Sequence, residues 1–420
     1  MPLSDHTLHP LVAQTFRFSF FQDHQFHTTA TRYVPKRRRD QNKNIDGAVQ
    51  YNIIFSNGIS LAQETAIPVI KELYRLTADS EAVSIRSAWV VERPNHGDAA
   101  QMNEEVLRHY VENHVRGQVP RLPPDRWAEQ AAAVPGRIPG AAIRAFLASN
   151  ILQPEERENL VGVAHSGGGG SLINALGPSK QHLPLCALIL VESPHIEHAA
   201  WGPLLQLYDA VRRSNSRRPT RWASAEHAMA WFKTHVPWKN FHPDVLHIIS
   251  ETYFRPDPAL PGTVTTKTPV EQETACFLDD GTNLNELPYL RSIMHLLPTH
   301  LILGDAMDIW PKPIYTMISE NIEADRAKLA SVTTIAGAGH YVGDLISTPQ
   351  NQKQRTNNDE LITTMLLCSS SATAARRETQ RVGQRDIRDP VHPGAGFVFV
   401  FAFPFMIMMG FLIRDRRRQI

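Results

Sequence analysis

The chain has 420 residues and a net charge of +1, with 43 Lys and Arg against 42 Asp and Glu. That length allows one large or two ordinary domains, and the balanced charge gives no electrostatic case for a nucleic-acid partner. Its three cysteines, Cys186, Cys276 and Cys368, are odd in number, far apart and outside any CxxC pair, which argues against a disulfide framework or a zinc site and for a reducing compartment.

Residues 1–48 are weakly patterned. Phe16 to Phe21 and His27 to Val34 are candidate first strands. No apolar run with a cleavage site opens the chain, so a secreted protein is not expected. The basic run Lys36-Arg37-Arg38-Arg39 suits a solvated loop better than a nucleic-acid patch. Tyr51 to Phe55 (YNIIF) is a short apolar strand, followed by the turn Asn57-Gly58-Ile59 and a helix from about Leu61 to Thr77. Ser84 to Glu92 is the next strand, and Arg93 to Asp98 is a turn by composition. Asn103 to Val115 reads as helix, Pro120 to Pro124 as loop, and Ile138 to Asn150 as helix with Pro139 in its first turn.

Leu160 to Val163 is a β-rich run that leads into Ala164-His165-Ser166-Gly167-Gly168 and then an amphipathic segment, Leu172 to Leu176. Leu185 to Val191 is apolar throughout, as for a strand covered on both faces, and Glu192 ends it. From about Ala199 to Leu290 the apolar spacing turns helical and strands become scarce. Trp222, His227, Trp231 and Phe232 form an aromatic stripe there, which suits core packing or a lid lining a pocket. Thr299 to Leu303 resumes the sheet and runs into Gly304-Asp305-Ala306-Met307-Asp308. A helix is expected over Ile318 to Leu329 and a last strand over Val332 to Ile335, followed by Ala336 to Tyr341 with His340. Alternating strands and helices predict an α/β fold with a doubly wound, mainly parallel sheet and a helical insertion.

The tail is of another kind. Residues 346–395 form a polar, Arg-rich linker, and Gly396 to Ile413 is an uncharged apolar stretch with Pro404 near its middle and a basic end after it. Residues 396–413 are at the short end for a membrane span, so membrane contact through this segment and a place on an intracellular membrane or its cytoplasmic side are expectations. The chain ends Arg-Arg-Gln-Ile, so no peroxisomal tripeptide is expected.

Strand, tight turn and helix around Ser166 is the context of a nucleophile elbow, in which the serine sits on a sharp turn and residues two before and two after it must be small. Ala164 and Gly168 meet that demand. A phosphate-binding loop would need a Lys after the glycines, and none is present. A serine hydroxyl needs a base, and the base an acid to orient it. Ser166, Asp308 and His340 occur in the chain order nucleophile, acid, base, each just past a predicted strand. Glu192, at the end of the strand after the elbow, is the alternative acid, and Asp305 a third. His165 is expected to pack or hydrogen-bond beneath the elbow. Gly167 supplies one oxyanion donor, and the turn after YNIIF supplies the other from the Ile59 amide or the Asn57 side chain.

At these residues the chain resembles the α/β-hydrolase superfamily, over about Val49 to Val342. More narrowly it is similar to fungal hydrolases of the toxin-biosynthesis group, which has peroxisomal lipase-like relatives. The blocks that carry this are FSNGI (55–59), NHGD (95–98), AHSGGG (164–169), LVESP (190–194), RPTRWASAEHA (218–228) and WKNFHPDVL (238–246). The resemblance implies a serine hydrolase acting on an ester, lactone or thioester of an apolar small molecule, with no cofactor and no metal. It implies Ser166 as nucleophile, His340 as base and Gly167 with Ile59 as the oxyanion turn, and keeps Glu192 open as the acid. It implies a hydrolase core over 49–194 and 291–345 and a helical lid over 195–290. Epoxide hydrolases and dehalogenases are similar but use Asp as nucleophile where this elbow carries Ser. A ligand binder or membrane scaffold on the same fold is the rival outside enzymology.

Overall fold

The computed structural model describes residues 3–22, 24–36, 48–78, 80–108, 137–177, 182–277 and 282–341. The strands are β1 (Leu11–Gln22), β2 (His24–Pro35), β3 (Val49–Ser56), β4 (Val83–Val91), β5 (Leu160–His165), β6 (Ala187–Val191), β7 (Phe254–Pro256), β8 (Val264–Thr266), β9 (Thr299–Gly304) and β10 (Ser331–Ile335). The main sheet has the order β1-β2-β4-β3-β5-β6-β9-β10. From β4 to β10 every neighbouring pair is parallel, and β1 and β2 form a hairpin that joins β4 antiparallel. The expected α/β architecture, a doubly wound and mainly parallel sheet, is therefore what the chain adopts. The hairpin strands run longer than the aromatic clusters at 16–21 and 27–34 suggested, because each residue of one finds a partner on the other from Leu11↔Pro35 to Gln22↔His24.

Period-two alternation fills both faces of the sheet. Leu160 and Ala164 of β5, with Leu188 and Leu190 of β6, enter one core with Trp89 and Phe146. Val161, Val163, Ile189 and Val191 enter the other with Ile53, Phe55 and Ile302. Chain order reverses between β3 and β5, so these strands lead to crossovers on opposite faces and their carboxyl ends flank a crevice, where open α/β sheets bind ligands. The turn after β3 and the elbow after β5 meet there.

Three helices of the first half lead up to the site. α1 (Ile67–Thr77) follows a short 3-10 turn, α2 is Arg137–Ala148, and α3 (Gly168–Ala175) starts directly behind the elbow. α3 begins earlier than Leu172 because Gly168 packs against the Ser56–Asn57 backbone and Gly169 against Ser193, which outweighs their poor helix propensity. The insertion holds α4 (Trp201–Asn215), α5 (Ala225–Phe232), α6 (Pro243–Thr252) and α7 (Val270–Ala275), and also the antiparallel pair β7–β8. Its aromatic stripe is its own core: Trp222, Phe232, Trp238, Phe241 and Phe254 are buried together, and the rings of Phe232 and Trp238 stack at 4.4 Å. That core also takes in Leu61 and Tyr341, so it packs on the turn after β3 and on the segment after β10.

α8 (Thr282–Ile293) returns the chain to the sheet, and α9 spans Lys312–Asp325. α9 begins six residues before the expected Ile318, because Pro311 sits at its N-cap with a second proline in the first turn, where a missing N–H costs nothing. The expected helix over 103–115 is followed only to residue 108. The loop at 120–124, most of the basic run at 36–39, the linker and the apolar stretch 396–413 lie outside the described residues. Among the described residues no helix is long and apolar enough to cross a membrane.

Candidate active site

β5 delivers Ser166 to the crevice at φ 52°, in the left-handed region that a non-glycine residue rarely enters. The conformation is fixed from several sides. The Ser166 N–H donates to Val191 O at 3.0 Å, and Ser166 O accepts from Gly169 N and Ser193 Oγ, each at 2.9 Å. The small residues around it are a matter of space. A Cβ on Gly168 would stand 2.1 Å from Ser56 O and 2.7 Å from Asn57 O, which are main-chain atoms of the neighbouring turn. A Cβ on Gly169 would collide with the same Ser193 hydroxyl that holds the elbow.

Ser166 Oγ lies 2.8 Å from His340 Nε2, and His340 Nδ1 lies 3.2 Å from Glu192 Oε2. The carboxylate has a second anchor, since Gly304 N–H donates to Glu192 Oε1 at 2.6 Å. The two candidate acids thus take different parts of the same histidine. Asp308, which chain order favoured, does not face the imidazole: its Oδ1 accepts the His340 backbone N–H at 2.9 Å. Asp305 turns away and accepts from Gly337 N–H at 2.7 Å. The reason is register. β6 lies between β5 and β9, so Glu192, one residue past β6, sits directly beside the elbow, whereas Asp308 lies four residues past β9 and meets the loop after β10.

The main chain of His340 is pinned at both ends, because its carbonyl lies 2.8 Å from His165 Nε2. His165 is therefore beneath the elbow, as expected, and grips the loop that carries the imidazole. Ser166, Glu192 and His340 are 8, 6 and 2 % exposed, so all three lie under cover. Burial raises the Glu192 carboxyl to about 7, against the opposing pull of the Gly304 N–H. Burial lowers His340 to about 4, with Asp308 acting the other way, and burial together with the neighbouring His340 lowers His165 to about 4. At neutral pH His340 is an uncharged imidazole, free to accept a proton at Nε2 when Nδ1 carries the hydrogen.

The Gly167 amide and the turn after β3 adjoin: a Cβ on Gly167 would lie 3.2 Å from Ile59 Cγ1 and Cδ1. Among the described residues no backbone carbonyl accepts from the Gly167 or Ile59 N–H. Asn57 does not compete as a donor. Its Nδ2 is used within its own turn, on Ala62 O at 2.8 Å and Thr65 Oγ1 at 3.1 Å. The walls near the histidine are aromatic, with Trp310 and Tyr341 each edge-on to His340 at 5.3 Å. Ser193, in the LVESP block next to Glu192, supports the elbow through Ser166 O, a role that only its place beside the strand end discloses.

A family model described as the alpha/beta hydrolase family matches residues 67–350. Among solved structures, the fold is similar to a peroxisomal alpha-beta-hydrolase from Saccharomyces cerevisiae, with a TM-score of 0.57 at 16 % identity over 98 % of this chain and 99 % of that one. It is also similar to a thioesterase domain from the curacin biosynthetic pathway (TM-score 0.48, 14 % identity, 85 % of this chain and 99 % of that one). A third is a soluble variant of monoglyceride lipase from Saccharomyces cerevisiae (TM-score 0.45, 12 % identity, 87 % and 98 %). A comparison with curated proteins finds no match.

Proposed function

The chain belongs to the alpha/beta hydrolase family, and from that premise we propose that it is a serine hydrolase cleaving an ester, lactone or thioester of an apolar small molecule. The observation that carries the proposal is the hydrogen-bonded sequence Ser166 Oγ, His340 Nε2, His340 Nδ1, Glu192 Oε2. Ser166 Oγ attacks the carbonyl carbon while His340 Nε2 takes its proton, and ionised Glu192 holds the imidazolium through Nδ1–H. The Gly167 and Ile59 N–H groups receive the negative charge that develops on the carbonyl oxygen. Collapse of the tetrahedral intermediate expels the alkoxide or thiolate, which takes the proton from His340 Nε2. Water, deprotonated by the same nitrogen, then releases the acyl group and restores the serine. In this scheme Asp308 is not the acid; it holds the main chain of the base.

An apolar substrate is supported by Ile59, Trp310 and Tyr341 around the reacting pair rather than by the aromatic residues of the lid, which are taken up in the lid's own core. The resemblance of blocks such as AHSGGG (164–169) and LVESP (190–194) to those of the fungal toxin-biosynthesis group supports a substrate from secondary metabolism. The apolar stretch 396–413 supports a tether to an intracellular membrane; release of the full chain by alkaline carbonate would overturn that part. Fluorophosphonate labelling of the purified protein and of Ser166→Ala tests the chemistry. Labelling of the wild type alone is expected. An unlabelled but folded wild type would sink the serine mechanism and leave a ligand-binding role.

A further inference from the structure

The block Asn95-His96-Gly97-Asp98 has no part in the chemistry above, yet His96 is wholly buried and touches the turn after β3. Its Nε2 lies 3.0 Å from Ser60 N, and its Nδ1 lies 2.9 Å from Asn95 Oδ1. The Asn95 amide is oriented in turn, with Nδ2 donating to Cys276 Sγ at 3.0 Å. Asn95 Oδ1 can only accept, so His96 carries its hydrogen on Nδ1 and presents Nε2 as the acceptor for the Ser60 N–H.

Ser60 directly follows Ile59 and has φ 72°, in the left-handed region that side chains avoid. Such a residue persists where its surroundings over-determine it, and here every polar group of Ser60 has a partner on another element. The N–H goes to His96. The carbonyl accepts from Tyr253 Oη at 2.9 Å, and the same phenol oxygen accepts the Ala62 N–H at 3.2 Å. The hydroxyl donates to Glu273 Oε1 at 2.7 Å, and Glu273 is held by Arg218 through two hydrogen bonds of 3.0 and 2.9 Å. Tyr253, Glu273 and Arg218 all belong to the insertion. On the other side of Ile59, a Cβ on Gly58 would lie 2.8 Å from His165 Nδ1, so the backbone there rests on the elbow.

We propose that His96 is a positioning residue for the oxyanion turn: it fixes the Ile59–Ser60 peptide through the Ser60 N–H, while Tyr253 fixes Ser60 from the lid. The Ile59 N–H belongs to the adjoining Gly58–Ile59 peptide, so it is held between the clasp on Ser60 and the packing of Gly58 on His165 before substrate arrives, and its aim depends on the lid being seated. A preorganised donor matters more for the tetrahedral state than for the bound substrate. Loss of the His96 acceptor therefore lowers kcat and leaves KM nearly unchanged. This assignment rests on the serine-hydrolase reading, with Ile59 N–H as one of the two oxyanion donors.

The test uses the full chain and compares wild type, His96→Leu, His96→Gln and Tyr253→Phe. The readouts are kcat and KM for a p-nitrophenyl ester, inhibition by a trifluoromethyl ketone that mimics the tetrahedral state, and thermal unfolding. His96→Leu is expected to lose roughly 10- to 100-fold in kcat, with KM within about twofold and a matching loss of ketone affinity, as for a displaced oxyanion donor. His96→Gln places an acceptor oxygen near the former Nε2 and is expected to recover most of the rate. Tyr253→Phe is expected to give the same pattern in smaller measure, and serves as the deciding variant if His96→Leu does not fold. The proposal is overturned if these variants keep kcat and ketone affinity, or if they lose only thermal stability. Failure of the underlying reading looks different, because then the wild type itself shows neither turnover nor labelling at Ser166.

Discussion

Replacing Glu192 by glutamine keeps the shape of the side chain and removes its charge, and the structure dictates two consequences of opposite sign. The first is catalytic. Gly304 N–H must find an acceptor at the position of Oε1, so the amide oxygen is drawn there and the amide NH2 is turned toward His340 Nδ1. Nδ1 then accepts, Nε2 carries the hydrogen, and Ser166 faces a donor instead of a base. A loss on the order of 10³- to 10⁴-fold in kcat/KM is expected, the size associated with the wrong histidine tautomer. In the wild type the same logic makes activity rise with pH through about 7, the value to which burial raises Glu192, and that limb disappears in Glu192→Gln. The second consequence is on stability. Burial raises the carboxyl from 4.5 to about 7, so the folded protein holds this proton more tightly than the unfolded chain does. The favourable contribution is complete below 4.5 and is lost as pH rises through about 7, leaving a cost of about 3 kcal/mol in alkaline solution. Glutamine does not ionise and escapes that cost. Urea unfolding at several pH values between about 5 and 9 would show Glu192→Gln gaining on the wild type as pH rises, by up to about 3 kcal/mol. Stability curves that stay parallel across the range, or a variant with the wild-type rate, would mean that Glu192 neither orients His340 nor carries a raised proton affinity.

Asp308→Asn keeps an oxygen for the His340 backbone N–H and is expected to retain most activity, whereas Asp308→Ala removes that anchor and lowers kcat; ester kinetics on the pair separate an anchor from an acid, because an acid would fail in both. Gly168→Ala forces a methyl into Ser56 O and Asn57 O, so fluorophosphonate labelling is expected to vanish and stability to fall by about 3 kcal/mol or more, as for other uncompensated backbone clashes. Burial holds His165, His300 and His340 at about 4, well below their ordinary value of 6.5. Each is neutral in the folded state, so stability is present above 6.5 and is lost as pH falls toward 4, by on the order of 3 kcal/mol per group. His300, away from the elbow, separates this from catalysis: His300→Asn is expected to flatten the acid limb of the unfolding curve with the ester rate at neutral pH unchanged.

The sheet and the elbow are written in the amino-acid order, because both are local. Apolar runs such as Tyr51 to Phe55 and Leu185 to Val191 can be buried on two faces only as inner strands. A serine between Ala164 and Gly168, after one such strand and before a helix, has room for only one kind of turn. The left-handed φ of Ser166 and the helix behind it follow from those residues. The order Ser166, acid, His340 was legible for the same reason, since each residue lies in the loop just past a strand. Which carboxylate meets the imidazole was not legible. Glu192 and Asp308 are both acidic residues just past strands, and only the order β5-β6-β9-β10 decides that Glu192 reaches the ring while Asp308 reaches the backbone. The aromatic residues of the insertion were ambiguous in the same way: their spacing fits a pocket lining or a core, and their packing against each other in three dimensions makes them a core. The clasp on Ser60 lay furthest from sequence. Its partners, His96, Tyr253 and Glu273, stand 36, 193 and 213 positions away along the chain, and a hydrogen bond across such separations leaves no periodicity to read.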